Sequence, residues 1–151
     1  MQSEKVPSDD ENFQKSLMEL RVYEGSARAL QTRLEIVNAA LNEFSLASAT
    51  LEGVKTQKND EDALIPVGGG SYVRVKLSDI SKIVMGVGAG VAVEKPIEDS
   101  INEIKERIAD LGKARISLQE QLNQALIRIE ENREKLGELV KKHGGESLTV
   151  I

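Results

Sequence analysis

Three glycines alternate with other small residues between Ile83 and Pro96, in the sequence IVMGVGAGVAVEKP. Glycine-rich loops cradle phosphates in nucleotide enzymes, because a backbone without a Cβ can approach the phosphate closely. A dinucleotide fingerprint, however, needs Gly-x-Gly-x-x-Gly between a strand and a helix. Gly86, Gly88 and Gly90 have the wrong third interval, and β-branched residues follow them. They therefore predict a hairpin turn with positive φ rather than a nucleotide site.

Other catalytic and metal-binding chemistry has few candidate residues. The chain has no cysteine and one histidine, which excludes thiolate nucleophiles, thiolate metal sites and multi-histidine zinc sites. The acidic residues have no calcium-loop spacing, and we interpret them as solvated helix faces rather than acid/base pairs. No nucleophile–base pair is evident. We therefore expect no enzymatic activity, no cofactor and no metal.

The composition favours long helices over a compact globule. Among 151 residues, 30% are charged, and the aromatic residues are two Phe and two Tyr. The net charge of −5, without clustered Lys and Arg, argues against nucleic acid as a partner. No apolar run approaches the roughly 20 residues of a membrane span, and the N-terminus lacks the apolar core of a signal peptide. We expect a soluble, cytoplasmic protein with no membrane contact.

Two heptad stripes predict two long helices. After a flexible segment at 1–10, apolar residues alternate at spacings of three and four over 11–58, and a second stripe covers 96–143 before a tail at 144–151. Arg115 and Asn132 interrupt the second stripe. Polar residues at such positions commonly set helix register at some cost in stability.

The segment between the stripes, 63–95, alternates like four short strands in two hairpins. Both helices are anchored at these strands, so they must run antiparallel. The predicted fold class is α+β, a long antiparallel α-helical coiled coil with two β-hairpins inserted between the helices. Sheets this small leave open edges, which predicts assembly of hairpins from several chains. In the alternative, the hairpins fold back onto their own helices. The residues expected to mediate assembly are Val73, Val75, Leu77, Ile83, Val87, Val91 and Val93.

The hairpin motifs resemble those of alpha-class prefoldin subunits of archaeal type. The family signature is a Leu-(Ile/Val)-Pro-(Val/Leu)-Gly strand start, followed later by a Gly-x-Gly hairpin that ends in Glu before the second helix. Here these are LIPVG at 64–68 and VGAGVAVE at 87–94. The resemblance covers the whole order of helix, double hairpin and helix.

This resemblance implies an ATP-independent holdase. In the family, two alpha and four beta subunits join through their hairpins, and the coiled-coil tips hold non-native polypeptides for a group II chaperonin. A tip needs exposed apolar side chains to do this. The candidates are Phe13, Leu17, Leu20, Leu136, Leu139 and Val140. Two alternatives stay open: these residues pack against each other in an ordinary seam, or the chain is a structural adaptor that docks one native partner.

Overall fold

The computed structural model describes residues 8–142 and contains two long helices separated by four strands. The elements are α1 (Asp9–Lys55), β1 (Asp62–Gly68), β2 (Ser71–Lys76), β3 (Lys82–Gly88), β4 (Val91–Pro96) and α2 (Ile97–Lys142). β1 pairs with β2 and β3 with β4, both antiparallel, in two separate two-stranded sheets. This arrangement confirms the predicted fold class. The predicted tail at 144–151 and most of the predicted flexible segment at 1–10 lie outside the described residues.

Local hydrogen bonds explain where the helices begin. The backbone N–H of Glu11 donates to Oγ of Ser8 at 3.3 Å, and three acidic residues occupy the first turn of α1, where the helix dipole favours negative charge. α2 begins directly after β4, and the N–H of Ile97 donates to the carbonyl of Ser81 at 2.9 Å. The second hairpin therefore runs into α2 without a loop.

The chain divides into two compact units, and the first consists of the N-terminal part of α1, up to Ile36, and the C-terminal part of α2, from Ala114. Ion pairs join Glu24 to Arg133 at 3.3 Å and Asp9 to Lys142 at 3.8 Å, so the two helices run antiparallel here. The buried core of this unit follows the predicted stripes and consists of Ala27, Leu34, Leu122, Ala125 and Ile129, with Leu20, Tyr23, Leu30 and Leu118 packed against it.

Asn132 and Arg115, the two polar residues that interrupt the second stripe, differ in how deeply they are buried. Asn132 is 3% exposed; its Nδ2 donates to the carbonyl of Arg128 at 3.0 Å, and its buried Oδ1 has no hydrogen-bond partner among the described residues. Arg115 is exposed. The physical reason is length, because the long stem of an arginine carries its charge to solvent whereas the short amide of Asn stays in the seam.

The second unit, Val37–Lys113, holds both hairpins and the adjoining ends of the helices. Glu52 pairs with Lys105 at 3.0 Å and Lys55 with Glu98, so the helices are antiparallel in this unit as well. Its buried apolar side chains are Met85, Ile101 and Ile104. This core is small, and much of the apolar surface of the hairpins lies outside it.

Candidate functional site

The glycines of both hairpins form tight turns. Gly69 and Gly70 have φ of 58° and 74°, and Ala89 and Gly90 have φ of 50° and 75°, so both central residues of each turn have positive φ. A type I′ turn requires this geometry, and it matches the right-handed twist of the flanking strands. A register shift, a β-bulge, precedes each turn. The predicted hairpin turn with positive φ at Gly88 and Gly90 is confirmed.

The pleat gives each hairpin two faces, which we define by residue pairs across the strands. The inner faces contain Ala63, Ile65, Val73 and Val75 in the first hairpin, and Ile83, Met85, Val93 and Lys95 in the second. The outer faces contain Asp62, Leu64, Pro66, Tyr72, Arg74 and Lys76 in the first hairpin, and Lys82, Val84, Gly86, Ala92, Glu94 and Pro96 in the second.

The inner face of the second hairpin packs against its own helices. Met85 is buried, and Ile83 and Ile104 line a groove of about 480 Å³ beside α1 and α2. Lys95, on the same face, forms an ion pair with Glu103 of α2. The contact from Lys95, with a further one from Arg107, holds the pKa of the Glu103 carboxyl below its usual value. This pairing fixes β4 to the first turns of α2.

The outer faces of both hairpins are exposed throughout. Tyr72 is 61% and Val84 68% exposed, although both are large apolar residues in strands. The exposed large apolar residues of the hairpins are Leu64, Ile65, Val67, Tyr72, Val73, Val84, Val87 and Val91. Each sheet has two strands and therefore two unpaired edges. This surface has the features of a site that another polypeptide covers.

The first unit carries two grooves near the start of α1. One, of about 410 Å³, lies between the start of α1 and the end of α2 and is lined by Asn12, Lys15, Ser16, Glu19, Lys135, Glu138, Leu139 and Lys142. The other, of about 440 Å³, lies on α1 alone and is lined by Lys15, Met18, Glu19, Val22 and Tyr23. Met18 and Val22 are highly exposed and one helical turn apart, so they form a single apolar strip.

Comparison with known proteins identifies the family. The family model for prefoldin subunits matches residues 23–142 of this chain. The chain belongs to the prefoldin family. It is similar to prefoldin subunit alpha of Nitrosopumilus maritimus, with 38% identity over 106 residues that cover 69% of this chain and 73% of the relative. It is also similar to prefoldin subunit alpha of Methanopyrus kandleri, with 37% identity over 87 residues that cover 58% of this chain and 55% of the relative.

A solved prefoldin structure shares the fold. The match, to a chain described by the words "Cryo-EM structure of filamentous PFD from Methanocaldococcus jannaschii", has a TM-score of 0.63 at 24% identity and covers 76% of this chain and 94% of that chain. The resemblance to alpha-class prefoldin, predicted from the hairpin motifs, is confirmed. Because prefoldins are chaperone subunits, the role of this chain is of the chaperone type. Within residues 8–142, no helix is long and apolar enough to cross a membrane.

The predicted assembly residues of this prefoldin chain fall into two groups. Val73, Val87 and Val91 are exposed, whereas the other four are half-buried in the single chain, namely Val75, Leu77, Ile83 and Val93. Five further large apolar residues of the hairpins are exposed and do not belong to the predicted set, namely Leu64, Ile65, Val67, Tyr72 and Val84. Alternation along the strands separates the two faces of each hairpin, but it does not indicate which face the helices cover and which stays exposed.

The predicted tip residues lie at the end of the first unit where α1 begins and α2 ends. Phe13, Leu17, Leu20, Leu136 and Leu139 are half-buried, and Val140 is exposed. Met18 and Val22, which are 67% and 64% exposed, do not belong to the predicted set because they lie outside the heptad stripe. Their spacing of four residues on one helix face was a signal that could have found them.

Proposed function

We propose that this chain is the alpha-class subunit of an ATP-independent holdase. Its hairpins assemble with beta-class prefoldin subunits in a hexamer of two alpha and four beta chains, and its helix ends hold non-native polypeptides for delivery to a group II chaperonin. The observation that carries this proposal is the exposed apolar surface of both hairpins in the single chain. A cytoplasmic location fits this role.

Assembly is the expected use of the hairpins. A two-stranded sheet is marginally stable alone, and each of these sheets has open edges. Adding strands from other subunits satisfies the edges and buries side chains such as Tyr72, Val84 and Val91. Each large side chain that becomes fully buried stabilises the assembly by roughly 1.5–3 kcal/mol.

Client binding is the expected use of the helix ends. Unfolded polypeptides offer apolar side chains without fixed shape, so a receptor benefits from adaptable apolar contacts. Met18 and Val22 supply an exposed strip, and methionine adapts to irregular partners because its side chain is flexible and polarizable. One such strip binds weakly. Several strips on one platform bind strongly, because each captured segment raises the effective concentration of the next.

The test is suppression of aggregation by the complex of this chain with a beta-class prefoldin subunit. Several unrelated denatured proteins serve as clients. Val22→Ser is expected to weaken protection of all of them, whereas Ile36→Ser is the matched control, since both side chains are 64% exposed on α1 and only Val22 lies in the apolar strip. Equal protection by the two variants contradicts the proposed client site.

The structural adaptor makes a different prediction in the same assay. A chain that docks one native partner protects no denatured protein and binds its partner only in the folded state. If the wild-type complex protects none of the denatured clients from aggregation, the result favours the structural adaptor.

A further inference from the structure

The groove that contains Met18 and Val22 lies on the outside of the helix pair. Within residues 8–142, its lining comes from α1 alone and consists of Lys15, Met18, Glu19, Val22 and Tyr23. Because α2 contributes no lining residue, the groove does not belong to the seam between the helices. An exposed apolar strip of this kind is a site for a further segment of polypeptide.

The sequence supplies such a segment directly after α2. Lys142, the last residue of α2, has its Nζ 3.8 Å from Oδ1 of Asp9, the first residue of α1. Nine residues follow in the sequence, at 143–151, and they lie outside the described residues. In an extended conformation nine residues span about 30 Å. Met18 and Val22 lie about 14 and 20 Å along α1 from Asp9, so the tail is long enough to reach both.

The apolar residues of the tail match the spacing of the apolar strip. In an extended segment every second side chain lies on the same face, so Leu148 and Val150 would share a face about 6.6 Å apart. Met18 and Val22 share a face of α1 at a rise of about 6 Å. One extended segment can therefore place both of its apolar side chains over the strip.

Charge at the edge of the groove favours the same alignment. Lys15 is exposed, lies three positions before Met18 and forms no ion pair with any residue in the range 8–142. Glu146, the only charged side chain of the tail, lies two positions before Leu148. A tail that runs parallel to α1 brings Glu146 to Lys15 when Leu148 reaches Met18. The reversal of direction after α2 that this requires falls at Gly144, where positive φ has no steric cost.

From this match in reach, spacing and charge we infer that the tail docks in the groove on α1 of its own chain and competes there with clients. Leu148 packs on Met18, Val150 packs on Val22, and Glu146 pairs with Lys15. The tail covers the strip until a client displaces it. Competition rests on the proposed client site, whereas docking of the tail can be measured without any client.

Disulfide formation tests docking in the full-length chain, which has no native cysteine. Met18→Cys together with Leu148→Cys is expected to form an intramolecular disulfide under mild oxidation, because docking brings the two Cα atoms within the roughly 7 Å that a disulfide spans. The contacts of Val150 and Glu146 remain in this variant. Non-reducing electrophoresis measures the rate, and mass spectrometry shows that the bond lies within one chain.

The matched control is Glu134→Cys together with Leu148→Cys. Glu134 is exposed on α2 and lies about 12 Å before Lys142, so it is within reach of the tail but outside the groove. The pair at 18 and 148 is expected to form its disulfide about tenfold faster than the control pair, because docking raises the effective concentration at the groove alone.

Leu148→Ser together with Val150→Ser tests competition in the complex with a beta-class subunit. The affinity for an unfolded, fluorescently labelled model polypeptide is expected to rise about threefold, because the strip is then open in every copy. Fluorescence anisotropy measures this affinity. Ile151→Ser is the matched control, since it removes an apolar side chain from the other face of the tail, and it is expected to leave the affinity unchanged.

Two outcomes overturn the inference. Equal rates of disulfide formation in the two cysteine pairs contradict docking in the groove. Weaker or unchanged client binding by the Leu148→Ser and Val150→Ser variant contradicts competition, and weaker binding assigns the tail to the client site itself. Failure of the proposed function gives a different result: the wild-type complex then binds no unfolded polypeptide, while the disulfide between positions 18 and 148 still forms faster than the control.

Discussion

A single residue in the second turn carries backbone strain. Ala89 has φ of 50°, in the left-handed region that residues with a Cβ adopt at a cost of roughly 1–2 kcal/mol. Gly69 occupies the equivalent place in the first hairpin without that cost. Asparagine tolerates this conformation and favours type I′ turns before a glycine. The second hairpin is therefore less stable than it would be with Asn or Gly at position 89.

Ala89→Asn is expected to stabilise the second hairpin by about 1 kcal/mol, because it creates the favoured Asn-Gly turn. The measurement is amide hydrogen exchange of β3 and β4, which should slow by several-fold. Ala92→Asn, the same substitution within β4, is the control and is expected to give no protection. Unchanged exchange in Ala89→Asn contradicts the strain argument.

Asn132 places an unsatisfied amide oxygen in the seam of the first unit. A buried polar group without a partner costs about 1–3 kcal/mol, so Asn132→Leu is expected to raise the stability of the chain by an amount in this range. Chemical denaturation measures the change. Asn123→Leu is the control, because Asn123 is exposed on the same helix and accepts a hydrogen bond from Gln119. A loss of stability in Asn132→Leu contradicts the expected cost of the unsatisfied amide oxygen.

We expect the stability of the junction between β4 and α2 to depend on pH through the Glu103 carboxylate. The Lys95 contact lowers the pKa of Glu103 in the folded chain, so this stabilisation is fully present above the unfolded value of about 4.5 and is lost as the pH falls through the lower folded value. Glu103→Gln is expected to be less stable than the wild type at pH 7. The difference should shrink below about pH 4.5 in thermal denaturation, and a constant difference down to pH 2 contradicts the assignment.

At the scale of elements, the sequence predicts the helices and hairpins well because their periodicities are local. Alternation in the strands and the Gly-x-Gly turn place β3 and β4, and the heptad predicts the buried seam around Ala27 and Ala125. The covered face of each hairpin is not predictable in this way. Alternation assigns Val84 and Met85 to opposite faces, and only packing against the helices decides that Met85 is buried and Val84 exposed.

The exposure of apolar residues at the helix ends is not predictable from the heptad for a related reason. The heptad identifies residues such as Phe13 and Leu139 because they belong to the seam, and both are half-buried in the folded chain. Surface apolar residues such as Met18 and Val22 lie outside the seam, so the heptad pattern does not identify them. Exposure is a property of the packed molecule, and the sequence specifies it only indirectly.

At the scale of the whole molecule, the surfaces that we propose for assembly and for client binding lie in separate parts of the chain. The hairpins lie in the unit 37–113, and the candidate tip residues lie in the other unit. Removing the residues before Leu20 and after Asn132 is therefore expected to leave assembly with beta-class subunits intact, because the buried cluster from Ala27 to Ile129 and both hairpins remain. Protection of denatured clients should be lost.

The complementary variant is Val91→Asp, which puts a charge on an exposed strand residue and leaves the helix ends untouched. It is expected to abolish assembly, since burying an unpaired carboxylate between hairpins is costly, and to weaken protection because single tips lack avidity. Native mass spectrometry measures the assembly, and light scattering of denatured clients measures protection.

Protection that survives the deletion contradicts the assignment of client binding to the helix ends. Assembly that survives Val91→Asp contradicts the assignment of assembly to the hairpins, so the two variants test the two halves of the proposal independently.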